Sequence, residues 1–169
     1  IIVNTIEGSV NIIGDKSISH RTVILGSLAE GISKIKNVLL SGDTLSTINI
    51  FRQLGVNISN PSENYIEIEG VGLNGLQKPS HPLNSANSGT TARLLTGILS
   101  KQSFESTLEG SPQLSKRPME RIVGPLRENG AKIKDNNGNL PLFFTPSEYT
   151  FEKIHSTKPS AQVKSGLLL

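Results

Sequence analysis

No cysteine occurs among the 169 residues, which rules out disulfides, thiolate metal sites and cysteine nucleophiles. Tryptophan is also absent, and five Phe with two Tyr are too few for a platform on which nucleobases stack. The three histidines, His20, His81 and His155, lie too far apart in sequence to suggest a metal site. There is no apolar run of the roughly 18 residues that a membrane helix needs, and no signal-like leader. Seventeen Lys and Arg against 14 Asp and Glu leave a net charge of +3, with no Lys/Arg block. Such a diffuse excess favours an anionic partner but gives nucleic acid no basic stripe to follow.

What is present is a recurring cluster. Ser17 precedes Arg21 by four residues, Ser88 precedes Arg93 by five, and Ser160 precedes Lys164 by four. The serines are 71 and 72 residues apart and the cations 72 and 71. Each cluster opens an apolar run, as a small polar residue at a helix N-terminus does. A helix start offers free N–H donors and the positive end of the macrodipole, so it suits anions. A cation one turn further in works against that dipole unless something negative sits nearby. Three such starts predict a shared anionic ligand; read singly, each is an ordinary cap beside a solvated cation.

Around these clusters the pattern predicts an α/β chain of repeated βαβαββ units. Short strands are expected at residues 1–6 and 9–13. A helix follows from about Ser17 to Glu30, closed by Gly31, with Ile18, Val23, Ile24, Leu25 and Leu28 as its buried stripe. A strand over 33–40 leads to a helix over 44–54, with Asp43 as its cap, and then a hairpin over 56–69. A loop over 70–85 separates this unit from a second. That copy reads as a helix over 89–99, a strand over 103–108, a helix opening at Pro118, and strands at 131–134 and 140–145. Asn137-Gly138 makes the hairpin turn between the last two. Pro125 should kink the second helix near Arg121. A strand over 149–155 and a third helix from residue 160 complete the pattern. Leu40 matches Leu108 at an offset of 68, whereas Gly55 matches Gly130 at 75. The second copy therefore carries seven extra residues, Pro112–Pro118, which bring Lys116 and Arg117 to a functional edge. Ile1 already reads as strand and Leu169 falls about two turns into a helix, so the sequence is expected to be a piece of a longer protein.

The segments Gly14-Asp15-Lys16-Ser17-Ile18-Ser19-His20-Arg21, Asn87-Ser88-Gly89-Thr90-Thr91-Ala92-Arg93, Lys116-Arg117-Pro118-Met119 and Ser160-Ala161-Gln162-Val163-Lys164 resemble four motifs of the 5-enolpyruvylshikimate-3-phosphate synthase family, in order and at similar spacing. The resemblance implies an inside-out α/β barrel of βαβαββ units. Residues 1–13 would be N-terminal strands of a companion domain, and 14–169 a truncated repeat domain of two copies and the start of a third. It also implies transfer of the enolpyruvyl group of phosphoenolpyruvate to the 5-hydroxyl of shikimate 3-phosphate, without metal or organic cofactor, in a cytoplasmic monomer. By motif, Lys16 resembles the catalytic lysine that touches both substrates. Ser17, Arg21, Ser160 and Ala161 resemble shikimate 3-phosphate ligands, Asn87, Gly89 and Arg117 phosphoenolpyruvate ligands, and Gln162 a contact to both. The family's acid–base residues fall beyond Leu169, so the fragment alone is expected to be inactive.

Two positions depart from the family pattern: Ile13 replaces a usual proline and Ala86 a usual glycine. Several residues keep two readings. His20 suits packing better than catalysis, Asp43 reads as a helix cap, and Asp15 either orients Lys16 or turns the chain. Arg93 either supports the site or bridges helices, and Lys164 is a ligand neighbour or a surface cation. The related transferase acting on UDP-N-acetylglucosamine fits less well, because its reactive cysteine is lacking and serine rather than asparagine follows Lys16. An RNA-cyclase-like repeat protein lacks support for want of a basic stripe and stacking aromatics.

Overall fold

A computed structural model describes residues 7–150, 154 and 159–169. The first copy comprises α1 (Lys16–Leu28), β1 (Glu30–Ile35), α2 (Gly42–Gln53), β2 (Asn57–Ile58) and β3 (Ile66–Val71). The second comprises β4 (Leu83–Asn84), α3 (Gly89–Ser100), β5 (Ser106–Glu109), a 3-10 turn (Leu114–Lys116), α4 (Glu120–Glu128), β6 (Lys132–Asn136) and β7 (Asn139–Thr145). The last helix, α5 (Ala161–Leu168), stands where a third copy would begin.

The two sheets repeat one topology. In the first the order is β1-β3-β2, all antiparallel; in the second it is β4-β5-β7-β6, with β4 parallel to β5 and the rest antiparallel. Removing β4 makes them topologically identical. Among the described residues the first copy shows no counterpart of β4: residues 7–15 form no strand, against the expectation for 9–13. Val10, Ile12 and Ile13 are exposed, and the Ile12 carbonyl accepts from the Asn37 side-chain amide (3.0 Å) instead of a ladder N–H. An alternating apolar run becomes a strand only against a partner face, and among the described residues these side chains have none. The strand expected at 1–6 lies outside the described residues. So does most of 149–155, of which 149, 150 and 154 are not in a strand.

Each sheet covers helices on one face, so the helices meet in the middle. α3 lies at the centre and is buried on nearly every side, including Leu94, Leu95, Ile98 and Leu99. It packs against α1, α2, α4 and α5. Its crossing with α5 is close: a Cβ on Gly97 would fall 1.7 Å from the Gly166 carbonyl oxygen, so only glycine permits it. One continuous core runs from Val23 and Ile24 of α1 through Phe51 and Ile68 to Ile122, Leu142 and Val163.

Several boundaries differ from the sequence reading. α1 ends at Leu28 with Ala29 as its cap, and Gly31 sits inside β1 at φ +85° rather than closing the helix. Ile18 and Leu25 of the expected stripe are exposed, while Val23, Ile24 and Leu28 are buried. The strand expected over 33–40 ends at Ile35, because Asn37 takes φ +57° and breaks the extended run. The presumed loop over 70–85 contains the end of β3 and all of β4. α4 opens at Glu120, with Met119 as N-cap, not at Pro118. It runs unbroken past Pro125, which has no N–H for the Arg121 carbonyl. The turn at Asn137 (φ 52°) and Gly138 (φ 79°) has both residues left-handed, as a two-residue hairpin requires.

Candidate anion-binding site

The helix caps set the site. Asp15, not Ser17, caps α1, its carboxylate accepting from Ile18 N (2.8 Å); Ser17 lies within the first turn. Ser88 caps α3 and Ser160 caps α5, each accepting from the amide three residues on (3.1 and 3.3 Å). The repeated polar position is real, and in the first copy it is filled by an aspartate two residues earlier. For α2 the cap is Ser41, in a reciprocal pair with Thr44. Asp43, freed from that task, forms an ion pair with Lys16 and so joins the first turns of α1 and α2. With Lys16 half exposed, the pair directs the ammonium more than it stabilises the fold.

The mouths of α3 and α5 converge. Gln162, in the first turn of α5, donates through Nε2 to Thr90 Oγ1 (2.8 Å) and accepts through Oε1 from Arg93 (3.0 Å). Arg93 also donates to the Pro118 carbonyl (3.3 Å). From α1, Arg21 reaches Ser165 Oγ of α5 (3.0 Å) while its other nitrogen donates to the Ser17 carbonyl (3.1 Å). Arg21 and Arg93 are thus tied through α5. Lys164 is exposed and lines an open hollow of about 520 Å³ with Ile154, Pro159, Leu167, Leu168 and the candidate ligands Ser160 and Ala161. Its exposure suits a surface cation, and its place beside Ser160 and Ala161 suits a ligand neighbour.

The seven-residue insertion folds down onto α3. Leu114 is buried against the inner side of the 3-10 turn, and Ser111 donates to Asn87 Oδ1. A Cβ on Gly89 would lie 2.9 Å from an Arg93 nitrogen and 3.6 Å from one of Arg117. Two guanidinium groups therefore flank the open N–H groups of α3, and the side-chain-free Gly89 leaves them room. Burial, then the like charges of Arg117 and Arg121, push the Arg93 pKa below its ordinary value. Cations held against one another in this way favour an anion between them. Arg121, three residues beyond Pro118, belongs to this cluster; its sequence context suggested only a kink. Asp43 was likewise read only as a cap.

Ala86 precedes Asn87 in a turn closed by Ser88 N to Ser85 O (2.9 Å), and it adopts φ +49°. A left-handed first central residue is a glycine position, which accounts for the glycine of the family pattern.

Beneath the surface runs a hydrogen-bonded chain. His20 Nδ1 meets Thr47 Oγ1 (2.8 Å), Thr47 meets Thr91 (2.7 Å), and Thr91 donates to Ser88 Oγ (2.7 Å). All four side chains are buried. His20 Nε2 has no partner among the described residues, and burial lowers the His20 pKa to about 4; Asp43 opposes that shift, while Lys16 and Arg21 add to it. His20 is a neutral structural histidine.

A sequence profile described as EPSP synthase (3-phosphoshikimate 1-carboxyvinyltransferase) matches residues 2–169. The chain belongs to the EPSP synthase family. It is 49% identical over 168 residues to a 3-phosphoshikimate 1-carboxyvinyltransferase of Ruthia magnifica and 46% identical over 167 residues to one of Hydrogenovibrio crunogenus. Each alignment takes in 98% of this chain and 38% of the relative. An EPSP synthase structure from Acinetobacter baumannii superimposes with a TM-score of 0.92 at 43% identity, over 95% of this chain and 37% of that one. The α/β fold is that of the enolpyruvyl transferases. The chain spans about two fifths of the length of these EPSP synthases.

Proposed function

We propose that the polypeptide carrying this chain transfers the enolpyruvyl group of phosphoenolpyruvate to the 5-hydroxyl of shikimate 3-phosphate and releases phosphate. The observation that carries this reading is the cation and N–H cluster around Gly89, where Arg93 and Arg117 crowd the mouth of α3. In the reaction the hydroxyl oxygen bonds to C2 of phosphoenolpyruvate as a proton reaches C3. Loss of phosphate from C2 and of a proton from C3 then restores the enol ether. Both substrates are anionic, so fixed donors act by holding them together and stabilising charge that shifts during addition.

Within this reading Asn87, Gly89 and Arg117 bind phosphoenolpyruvate. Ser17, Arg21, Ser160 and Ala161 bind shikimate 3-phosphate. Gln162 faces both ligands, and Lys16, aimed by Asp43, is the catalytic cation between them. Proton transfer falls to the part of the relatives' length that this chain does not span, so the chain alone would bind without turnover. Residues 1–13 belong to the companion domain and 14–169 to the repeat domain. The working protein is a cytoplasmic monomer with no nucleic-acid partner. Among the described residues no helix is long and apolar enough to cross a membrane.

The test is phosphate release by a polypeptide of the relatives' full length that carries this sequence. Release that needs both shikimate 3-phosphate and phosphoenolpyruvate is expected. Release with UDP-N-acetylglucosamine in place of shikimate 3-phosphate would overturn the assignment.

A further inference from the structure

We infer that His20 is a positioning residue that fixes the mouth of α3 relative to Lys16 through Thr47 and Thr91. This rests on the reading that Lys16 and the α3 mouth serve one ligand.

The direction of the chain follows from counting protons. Thr91 spends its hydroxyl proton on Ser88 Oγ (2.7 Å), so its oxygen accepts from Thr47 (2.7 Å). Thr47, having given its proton, accepts from His20, which must carry a proton on Nδ1. The Asp43 carbonyl, 3.5 Å from both threonine hydroxyls, and Ser46 Oγ, 3.4 Å from Thr91 and already donating to that carbonyl (2.6 Å), are the weaker partners. His20 is thereby held as one tautomer, with Nε2 a bare buried acceptor. Ser88 receives both the hydroxyl and the amide of Thr91, so its own proton is left to point away from the chain.

The placement gives the chain its purpose. His20 lies one helical turn beyond Lys16 on α1, and Thr47 one turn beyond Asp43 on α2. Two latches one turn apart therefore join α1 to α2, the exposed Lys16–Asp43 pair and the buried His20–Thr47 bond. Thr91 then joins α2 to α3 beside the cap residue Ser88, whose neighbour Gly89 faces the cations. The helix α2 is a spacer that sets the distance from Lys16 to the α3 amides. A neutral histidine suits this place: Lys16 and Arg21 on α1 both oppose a charge there, and Asp43 on α2 favours one.

The test uses the isotope-labelled 169-residue chain, with Thr47→Val to break the chain isosterically and Thr47→Ser to keep it. His20 is expected to show the Nδ1–H tautomer and to stay neutral at pH 6. Thr47→Val is expected to shift the amides of Asn87 to Thr90 and to weaken their response to phosphoenolpyruvate about 2- to 10-fold, the range of one lost hydrogen bond. Thr47→Ser is expected to restore both. An Nε2–H tautomer, or a folded Thr47→Val chain with unmoved amides and an unchanged response, would overturn the inference. If the Thr47→Val amides move but the wild-type chain ignores phosphoenolpyruvate, the positioning stands and the functional reading falls.

Discussion

Ala86 stands at φ +49° in the turn that delivers Asn87 to the site, a conformation that costs an L-residue about 1–2 kcal/mol. Glycine removes that cost but adds unfolded-state freedom worth about 0.4–1 kcal/mol. Ala86→Gly should therefore stabilise the chain by up to about 1.5 kcal/mol, measured by urea denaturation. A loss of stability would show that the turn is not strained. His20 gives a second residue-scale expectation. Its folded pKa, about 4, lies below the ordinary 6.5, so above pH 6.5 the side chain is neutral in both states and contributes no pH dependence. As pH falls from 6.5 to 4 the unfolded chain takes up the proton first, and stability should drop by up to about 3 kcal/mol. His20→Gln should flatten that segment. It should leave the loss below pH 4, where Asp135, its carboxyl lowered by the Gly138 amide and by Arg127, gives up its contribution. Equal slopes in both proteins between pH 6.5 and 4 would refute the assignment of that window to His20.

Among the elements, the α3–α5 crossing decides whether the start of the third copy docks. An exposed Gly→Ala change within a helix gains about 1 kcal/mol from propensity. At Gly97 the new methyl would meet the Gly166 carbonyl oxygen at 1.7 Å, and overpacking of that kind costs about 1–3 kcal/mol. Gly97→Ala should therefore destabilise and loosen α5, seen as loss of the Arg93–Gln162 contact in side-chain NMR. A net gain in stability would mean that the helices do not cross so closely. The same scale shows what was legible in the sequence. The second copy's helices and hairpins were readable because turn residues such as Asn137-Gly138 and apolar periodicity agree there. β4 was not, since Leu83–Asn84 is two residues long and earns its place only by lying parallel to β5. The strand expected at 9–13 has the right alternation but no face to pack on among the described residues. Caps slipped for a related reason: Asp15, Ser17, Ser41 and Asp43 are all competent, and only tertiary geometry selects Asp15 and Ser41. The ligand candidates were legible as motifs, whereas the Lys16–Asp43 pair and the His20–Thr47–Thr91 chain join residues 27 to 44 positions apart and left no local trace.

For the whole molecule, the organising fact is that equivalent segments of successive copies face one another. α1, α3 and α5 carry the caps, the crossing side chains Arg21, Arg93 and Gln162 lace them together, and the insertion adds Arg117 at the centre. Repetition puts like positions around a common axis, so a single anion can draw on donors from three places in the sequence. The seven-residue difference between copies breaks that symmetry on one side only; under the proposed function, that would give two unlike anionic substrates two unlike ends. The most direct measurement is a titration of the isotope-labelled chain with shikimate 3-phosphate, following backbone amides and arginine side chains. Ser17, Arg21 and Ser160 are expected to shift together along one binding curve. Silence at these positions, or movement at a single helix mouth, would contradict that expectation.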